Sequence, residues 1–480
     1  MVKYVTNAKT ITSHSFLPLI RRKLISHRFK KDKNGKIIRN NKIRKISYAS
    51  HLDSAIYAYY AYLLQNHYEA FLKDNSLQEE VCAYRKIVRN DGKGNKCNIH
   101  IAKDVFDVIL QKTLNGENVS VITFDIKGFF DNLDHKIIKD TWKQITNTVS
   151  LSDDSYAVYK SITHYAYVME DDIFRHFKDN IICKTSTKKV ERKVKRKSYL
   201  RDKNAIAFCD RNMISEIRKS GLIKRREKSE TKGIPQGLPI SAVIANIYMC
   251  NFDKDVSTKI KQLGGLYKRY SDDIIIVCPI ELGHILKKWI YEKIKSVNLE
   301  IEESKTNLFT FCKQGNGEIM CKHEMKGTNK VLEYLGFAFD GKRILLKNAS
   351  VGKFYTKMGK NVRRSIALAT HINNKTFGKI FENQLIYKFS YAGAKIHLIR
   401  KRSATNPSKF YVIKGRHTYG NYLTYVRKSA TTMMNPAIAK QLRRTSYILK
   451  KKITYAKNQT NMMSEWKIKN EILKYGRIYH

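Results

Sequence analysis

Gly265-Leu266-Tyr267-Lys268-Arg269-Tyr270-Ser271-Asp272-Asp273-Ile274-Ile275-Ile276-Val277-Cys278-Pro279 reads as two strands, 265–270 and 274–279, joined by a tight turn at Ser271-Asp272-Asp273. The hairpin carries two carboxylates at its tip, and the strand that follows them is wholly apolar. A second stretch has the same character. Val119-Ser120-Val121-Ile122-Thr123-Phe124-Asp125 is rich in β-branched and aromatic residues and reads as a buried strand that ends in an aspartate, with Gly128 closing it.

Each aspartate alone is adequately read as a turn former or a strand-end cap. Together they place Asp125, Asp272 and Asp273 at the ends of core strands, where ionised groups are costly unless opposite charge neutralises them. Mg²⁺ is the natural neutraliser: it prefers carboxylate oxygens, keeps several waters and leaves positions open for phosphate. Two such ions a few ångströms apart activate a hydroxyl nucleophile and stabilise a leaving pyrophosphate.

The rest of the composition agrees with a polyanionic ligand. The chain has 480 residues, 92 Lys and Arg against 42 Asp and Glu, a formal net charge of +50 and a pI near 9.9. Nucleic acid and anionic membrane both attract such a surface. Apolar runs such as 274–278 are too short to span a bilayer, and the N-terminus lacks the pattern of a signal peptide, so a cytoplasmic protein with no membrane partner is expected. Hydrophobic residues at 42% supply a core, and the length calls for two or three structural units. Eight cysteines scattered singly, without a CxxC pair, read as reduced thiols.

Along the chain, residues 1–50 carry basic clusters at 21–23, 30–33 and 42–45, which suit either an arm on phosphate or a solvated surface. Helical spacing covers 54–72 and 103–110, with a turn at Gly92 and Gly94 between them. Residues 139–180 read as helical. The segment 184–203 is an insertion-like basic run that includes Lys193, Lys195, Arg196 and Lys197, for which phosphate contact and a solvated face are equally good readings. A helix is expected over 240–249. From about 351 to the end the pattern is helical and basic, broken at Asn406-Pro407 and Asn435-Pro436.

Five motifs in order now carry a resemblance. Phe124-Asp125-Ile126-Lys127-Gly128-Phe129-Phe130-Asp131-Asn132-Leu133-Asp134-His135 resembles the first palm motif of reverse transcriptases, particularly the bacterial lineages related to group II introns and retrons. Gly233-Ile234-Pro235-Gln236-Gly237-Leu238-Pro239-Ile240-Ser241 resembles the second, and Tyr270-Ser271-Asp272-Asp273 the aromatic-x-Asp-Asp turn. Residues 299–306 with Lys305, and Tyr334-Leu335-Gly336-Phe337, resemble the fourth motif and the primer grip. Ala83-Tyr84-Arg85-Lys86 and 98–109 look like the fingers of the defence-associated, abortive-infection subgroup.

The resemblance implies roles. Asp125 and Asp272 would be metal ligands with the Ile126 carbonyl, and Asp273 a supporting carboxylate, the ions being two Mg²⁺ with Mn²⁺ a substitute. Phe130 would be the steric gate against a ribose 2′-hydroxyl, with a core phenylalanine as the plainer reading. Gln236 and Gly237 would pass close to the incoming nucleotide, glycine supplying clearance. Lys305 would protonate or stabilise pyrophosphate, unless it is simply solvated. Arg85 and Lys86 would grip the triphosphate, or form a surface basic pair. Ser271 stands where alanine is common in these enzymes, and the interval from Asp125 to Gln236, 236 − 125 = 111 residues, is long.

The fold implied is a right-hand polymerase of α+β class. Residues 1–120 would form the N-terminal region and fingers, 121–345 an antiparallel palm backed by helices with a fingers-like insertion at about 139–230, and 346–480 a helical thumb. The activity implied is RNA-directed DNA polymerisation from deoxynucleotides in bacterial anti-phage defence, with an RNA template, a dedicated non-coding RNA among the candidates, and a DNA product. The alternatives are a retron or intron-derived enzyme, a template-independent or protein-primed polymerase, and a non-catalytic RNA-binding scaffold. Three carboxylates facing a polyanion argue against the scaffold. Oligomeric state is not legible.

Overall fold

The computed structural model describes residues 1–31, 35–186, 188–227, 229–374, 376–403, 406 and 410–475. The side chains of the 30–33 cluster, and Pro407, lie outside the described residues. The chain forms two compact units: unit 1 is Met1–Ile87 with Ile122–Asn307, and unit 2 is Val88–Val121 with Leu308–His480.

In unit 1 two short helices, Val2–Val5 and Ala8–Thr12, precede a basic ribbon. Strands β1 (Leu19–Lys31) and β2 (Ile37–Tyr48) pair antiparallel from Ile20↔Tyr48 to Lys31↔Ile37, so the basic clusters of this region lie on paired strands. Helix α1 (His51–Asp74) follows, capped by the Ser50 hydroxyl on the Asp53 N–H at 3.1 Å. It buries Ile56, Tyr57, Tyr60, Leu64, Tyr68 and Leu72 at the three- and four-residue spacing that the sequence shows. Strand β3 (Val119–Asp125), of which Ile122–Asp125 belongs to this unit, neighbours the hairpin β4 (Leu266–Tyr270) and β5 (Asp273–Pro279) in the order β3–β5–β4. β4 and β5 pair antiparallel from Asp273↔Tyr270 to Val277↔Leu266, and Ile274–Cys278 is buried throughout. Helices α2 (Ser241–Tyr248) and α3 (Cys250–Gln262) complete this core.

The region 139–180 is helical only in part. Helices His135–Thr146 and Asp153–Thr163 give way to the strand Ala166–Met169, which joins β1 in parallel at Leu19–Arg21 before the helix Glu170–Phe177. The basic run is folded as well. Strands Ile181–Lys184, Lys189–Arg192 and Ala205–Ala207 form a small sheet, and Val194 is buried among Val168, Phe174, Phe177, Cys183 and Ile217. Val194 thus anchors the run in the apolar core, while its neighbours Lys193 and Lys195 face water.

Unit 2 contains the helix Asn98–Leu114, which covers the predicted 103–110 and extends it at both ends. It also holds residues 308–313 of the strand Asn307–Lys313, paired antiparallel with Ile319–His323, and a three-stranded antiparallel sheet over Leu332–Tyr334, Phe337–Phe339 and Ile344–Leu346. Phe339 stacks on Phe311, ring centroids 5.5 Å apart, and packs on Phe106 at 5.0 Å. Helices Asn348–Ala369, Glu382–Phe389, Tyr422–Thr432 and Thr445–Tyr475 fill most of the C-terminal region. The expected helical run is interrupted by the antiparallel pair Leu398–Arg402 and Phe410–His417, whose Ile399, Phe410, Tyr411, Val412 and Ile413 favour strands. Helices and antiparallel sheets thus make the chain α+β, as expected. No described helix is long and apolar enough to cross a membrane.

Candidate active site

The β4–β5 turn is tight because Ser271 adopts φ of +61°, a left-handed conformation that non-glycine residues rarely hold. Strand β3 ends beside it. The Ile126 N–H donates to the Asp272 carbonyl at 3.1 Å, which brings the strand end bearing Asp125 against the turn bearing Asp272. The segment 300–302 lies along the other side, with the Lys127 N–H donating to the Glu300 carbonyl and the Glu302 N–H to the Asp125 carbonyl, both at 2.8 Å. Asp125 and Asp272 are half-buried. The Lys305 ammonium hydrogen-bonds the Asp125 carboxylate, so the lysine expected near pyrophosphate sits on a predicted metal ligand. Lys127 and Glu300 pair at 3.3 Å nearby, and the Ser304 hydroxyl, with Lys305 and Lys127 close, holds the Glu302 carboxyl below its usual range.

This donor set suits a hard divalent cation: two carboxylates at adjacent strand ends, open to solvent, one of them already neutralised by an ammonium. Among the described residues no three His, Cys, Asp or Glu side chains gather closely enough to hold an ion. The backbone bond from Ile126 to Asp272 brings Asp125 and Asp272 to one turn. Asp273 is exposed and already part of β5, opposite Tyr270.

The remaining predicted residues divide. Phe130 is half-buried, edge-on to the buried Phe129 at 5.7 Å, and its carbonyl accepts the Ile234 N–H at 2.9 Å, which joins the first and second motifs. Gln236 also lies in this unit, but its carbonyl accepts the Ser47 N–H of β2 at 2.7 Å. Gly237, at φ of +109°, would place a Cβ 2.6 Å from the Ser47 carbonyl, so its clearance serves the close passage of β2. Gly233 has a similar need, since its Cβ would stand 2.5 Å from the Asp131 carbonyl.

Arg85 is a correction. Its side chain is only 3% exposed; Nε and Nη2 donate to Glu69 at 2.9 and 2.6 Å, and Nη1 to the carbonyls of Gln78 and Val81. With four of five N–H donors engaged in the fold, little remains to grip a triphosphate. Lys86 is exposed. Of the basic run, Lys193 pairs with Asp179 at 2.7 Å, and Lys197 pairs with Glu170 at 2.8 Å and also with Asp171, whereas Lys195 and Arg196 are exposed. The primer-grip residues lie in unit 2, where Leu335 and Gly336, both at positive φ, turn the chain between two strands. The Asn98 side chain donates to the Leu335 carbonyl at 3.1 Å.

Residues 143–339 match the family model described as reverse transcriptase (RNA-dependent DNA polymerase). This segment is thus similar to reverse-transcriptase domains. The matched segment includes Gln236, Asp272, Asp273 and Lys305 and begins 143 − 125 = 18 residues after Asp125. The class named for this domain is a nucleotidyltransferase. Among solved structures the chain is similar to apo telomerase from Candida tropicalis truncated from its C-terminal domain, at 12% identity and a TM-score of 0.37, covering 68% of this chain and 55% of that one. Telomerase from Candida albicans in complex with a fragment of telomeric RNA aligns at 13% identity and a TM-score of 0.34, covering 75% and 53%. The chain spans about half the length of these telomerases.

Sequence reading missed four residues around the β4–β5 turn. Asp253 and Arg269 form an ion pair of 0% exposure on both sides, Asn246 joins it, and exposed Tyr84, at φ of +61°, accepts from the Ser271 hydroxyl at 3.4 Å. The signal available was Arg269 itself, a cation within a strand otherwise read as core.

Proposed function

We propose that the protein is an RNA-directed DNA polymerase in which Asp125 and Asp272 organise nucleotidyl transfer. The observation that carries this reading is the meeting of the two aspartate-bearing strand ends through the Ile126–Asp272 backbone bond, within a chain whose residues 143–339 match the reverse-transcriptase model. Asp125, Asp272 and the Ile126 carbonyl would hold the ions, and bound Mg²⁺ would supply charge neutralisation at the transferring phosphate and a lowered pKa for the attacking hydroxyl. Lys305, resting on Asp125, supplies a proton donor and positive charge beside the same carboxylate. Phe130, half-buried and bonded through its carbonyl to the Ile234 N–H of the second motif, would be the ring that excludes a ribose 2′-hydroxyl. Fingers, palm and thumb would correspond to 1–120, 121–345 and 346–480. Lys195 and Arg196, with the cations of the C-terminal helices, would bear on the RNA or RNA–DNA backbone.

We place the enzyme in bacterial anti-phage defence, in the cytoplasm, on the resemblance of Ala83-Tyr84-Arg85-Lys86 to the abortive-infection subgroup and on eight free thiols. Protein priming of the same chemistry is favoured by one contact, the exposed Tyr84 hydroxyl against Ser271. The deciding experiment offers the purified protein an RNA template with deoxynucleotides, ribonucleotides or no template. Template-dependent deoxynucleotide incorporation supports the reading, DNA bound covalently to Tyr84 supports protein priming, and no incorporation with any substrate refutes both.

A further inference from the structure

Asp253 and Arg269 lie entirely within the core of unit 1, where an ion pair is retained only with close geometry and full hydrogen bonding. Both conditions hold. Arg269 Nε donates to Asp253 Oδ1 at 2.7 Å and Nη2 to Oδ2 at 2.5 Å, while the Tyr267 hydroxyl donates to Oδ1 at 2.6 Å. Burial and the nearby Asp253 charge push the Tyr267 hydroxyl well above its ordinary range, so it remains a donor. The third arm of the guanidinium is the informative one. Nη1 donates to the Ser271 carbonyl at 3.1 Å and to Asn246 Oδ1 at 3.3 Å, and Asn246 in turn donates to the Ala83 carbonyl at 2.9 Å.

Ser271 is the strained residue of the turn, and its neighbour Asp272 is the residue whose carboxylate the chemistry needs. A left-handed serine, 5% exposed, persists only where its surroundings over-determine it. Arg269 holds its carbonyl and Tyr84 its hydroxyl, and the Ile126 N–H holds the next carbonyl. We infer that Asp253 and Arg269 are positioning residues that fix the Ser271–Asp272 turn and thereby aim the Asp272 carboxylate. The inference rests on the reading of Asp272 as a metal-holding group. The third arm completes the hydrogen bonding of the buried guanidinium on the turn itself, so the Ser271 carbonyl is tied to the same rigid pair. A lysine would satisfy Asp253 as a point charge yet could not fork to the turn as well.

The test is Arg269→Lys, paired with the apolar double variant Asp253→Leu/Arg269→Met, which removes both charges together so that neither is left buried alone. Urea unfolding establishes that each is folded, Mn²⁺ binding is read by electron paramagnetic resonance, and single-turnover nucleotide addition separates kcat from KM. Arg269→Lys should lower kcat by about tenfold, as the loss of one positioning hydrogen bond predicts. It should weaken Mn²⁺ binding and leave the KM for template unchanged. The double variant should show the same kinetic loss with a fully folded protein. Parent-like kcat and Mn²⁺ affinity in either folded variant overturns the inference. A parent protein that binds Mn²⁺ no better than Asp272→Asn overturns the metal reading itself, and the inference with it.

Discussion

Replacing Gly237 with alanine separates the two reasons a glycine can stand in the second motif. If the glycine clears space for a nucleotide, the variant folds normally and its KM for deoxynucleotides rises. The geometry predicts a different outcome. The new Cβ would stand 2.6 Å from the Ser47 carbonyl, closer than a carbon tolerates, and a tight 3.0 Å from the Ile46 methyl, and φ is +109°. Positive φ costs an L-residue about 1–2 kcal/mol. Relieving the clash moves β2 away from the loop and weakens the 2.7 Å bond from the Ser47 N–H to the Gln236 carbonyl, worth about 1 kcal/mol. The total is about 2–3 kcal/mol of lost stability. Gly94→Ala is the control: its φ is +106°, but the added methyl meets nothing within 4 Å, so it should show the conformational cost alone. Urea midpoints of parent, Gly94→Ala and Gly237→Ala measure the difference. A Gly237→Ala protein as stable as Gly94→Ala, with a raised KM, would refute the close-approach argument and restore the nucleotide-clearance reading.

Phe130→Ala should raise ribonucleotide incorporation relative to deoxynucleotide in competition assays; unchanged discrimination with reduced stability would make the ring a packing element. Replacing Lys193, Lys195, Arg196 and Lys197 together with glutamine should flatten the slope of log RNA affinity against log salt by about 1–2 units, because Lys193 and Lys197 are already paired with carboxylates and each phosphate-bound cation contributes about 0.7–0.9. A flattening of three or more would show that those ion pairs open on RNA. Burial, with Arg226 and His164 nearby, holds the His135 imidazole below its ordinary value, and its Nε2 lies 2.9 Å from the Gly233 carbonyl. Its neutral form is thus favoured by folding, the associated stability is present above the unfolded pKa near 6.5, and it is lost as pH falls below that value. Urea midpoints at pH 7.5 and 5.5 should fall less in His135→Gln than in the parent.

The hairpin at 265–279 was legible because two short strands with a carboxylate-rich tip leave few alternatives, and β3 because its apolar run stops abruptly at Asp125. Asp125 and Asp272 as a pair were legible on the same grounds. The partners were not, since they come from distant sequence. Arg85 reads as an exposed cation until Glu69 on α1 is brought beneath it, and Gly237 reads as serving a ligand until β2 is seen to run past it. Arg269 depends on Asp253, 16 residues earlier on a helix whose inward face sequence spacing does not specify. The hairpin over 398–417 was hidden by its lysine and arginine content, which suits an exposed helix face as well as an exposed strand. Tyr84 gained significance only from its contact with Ser271.

Everything proposed about chemistry turns on the two aspartates, and single-turnover addition of a deoxynucleotide to a primer on an RNA template tests them most directly. Asp125→Asn and Asp272→Asn keep volume and hydrogen-bonding shape while removing one negative charge each. Each is predicted to lower the Mg²⁺-dependent rate by at least about a hundredfold while RNA affinity and the urea midpoint stay near those of the parent. Extension by either variant within a few-fold of the parent rate would contradict the account.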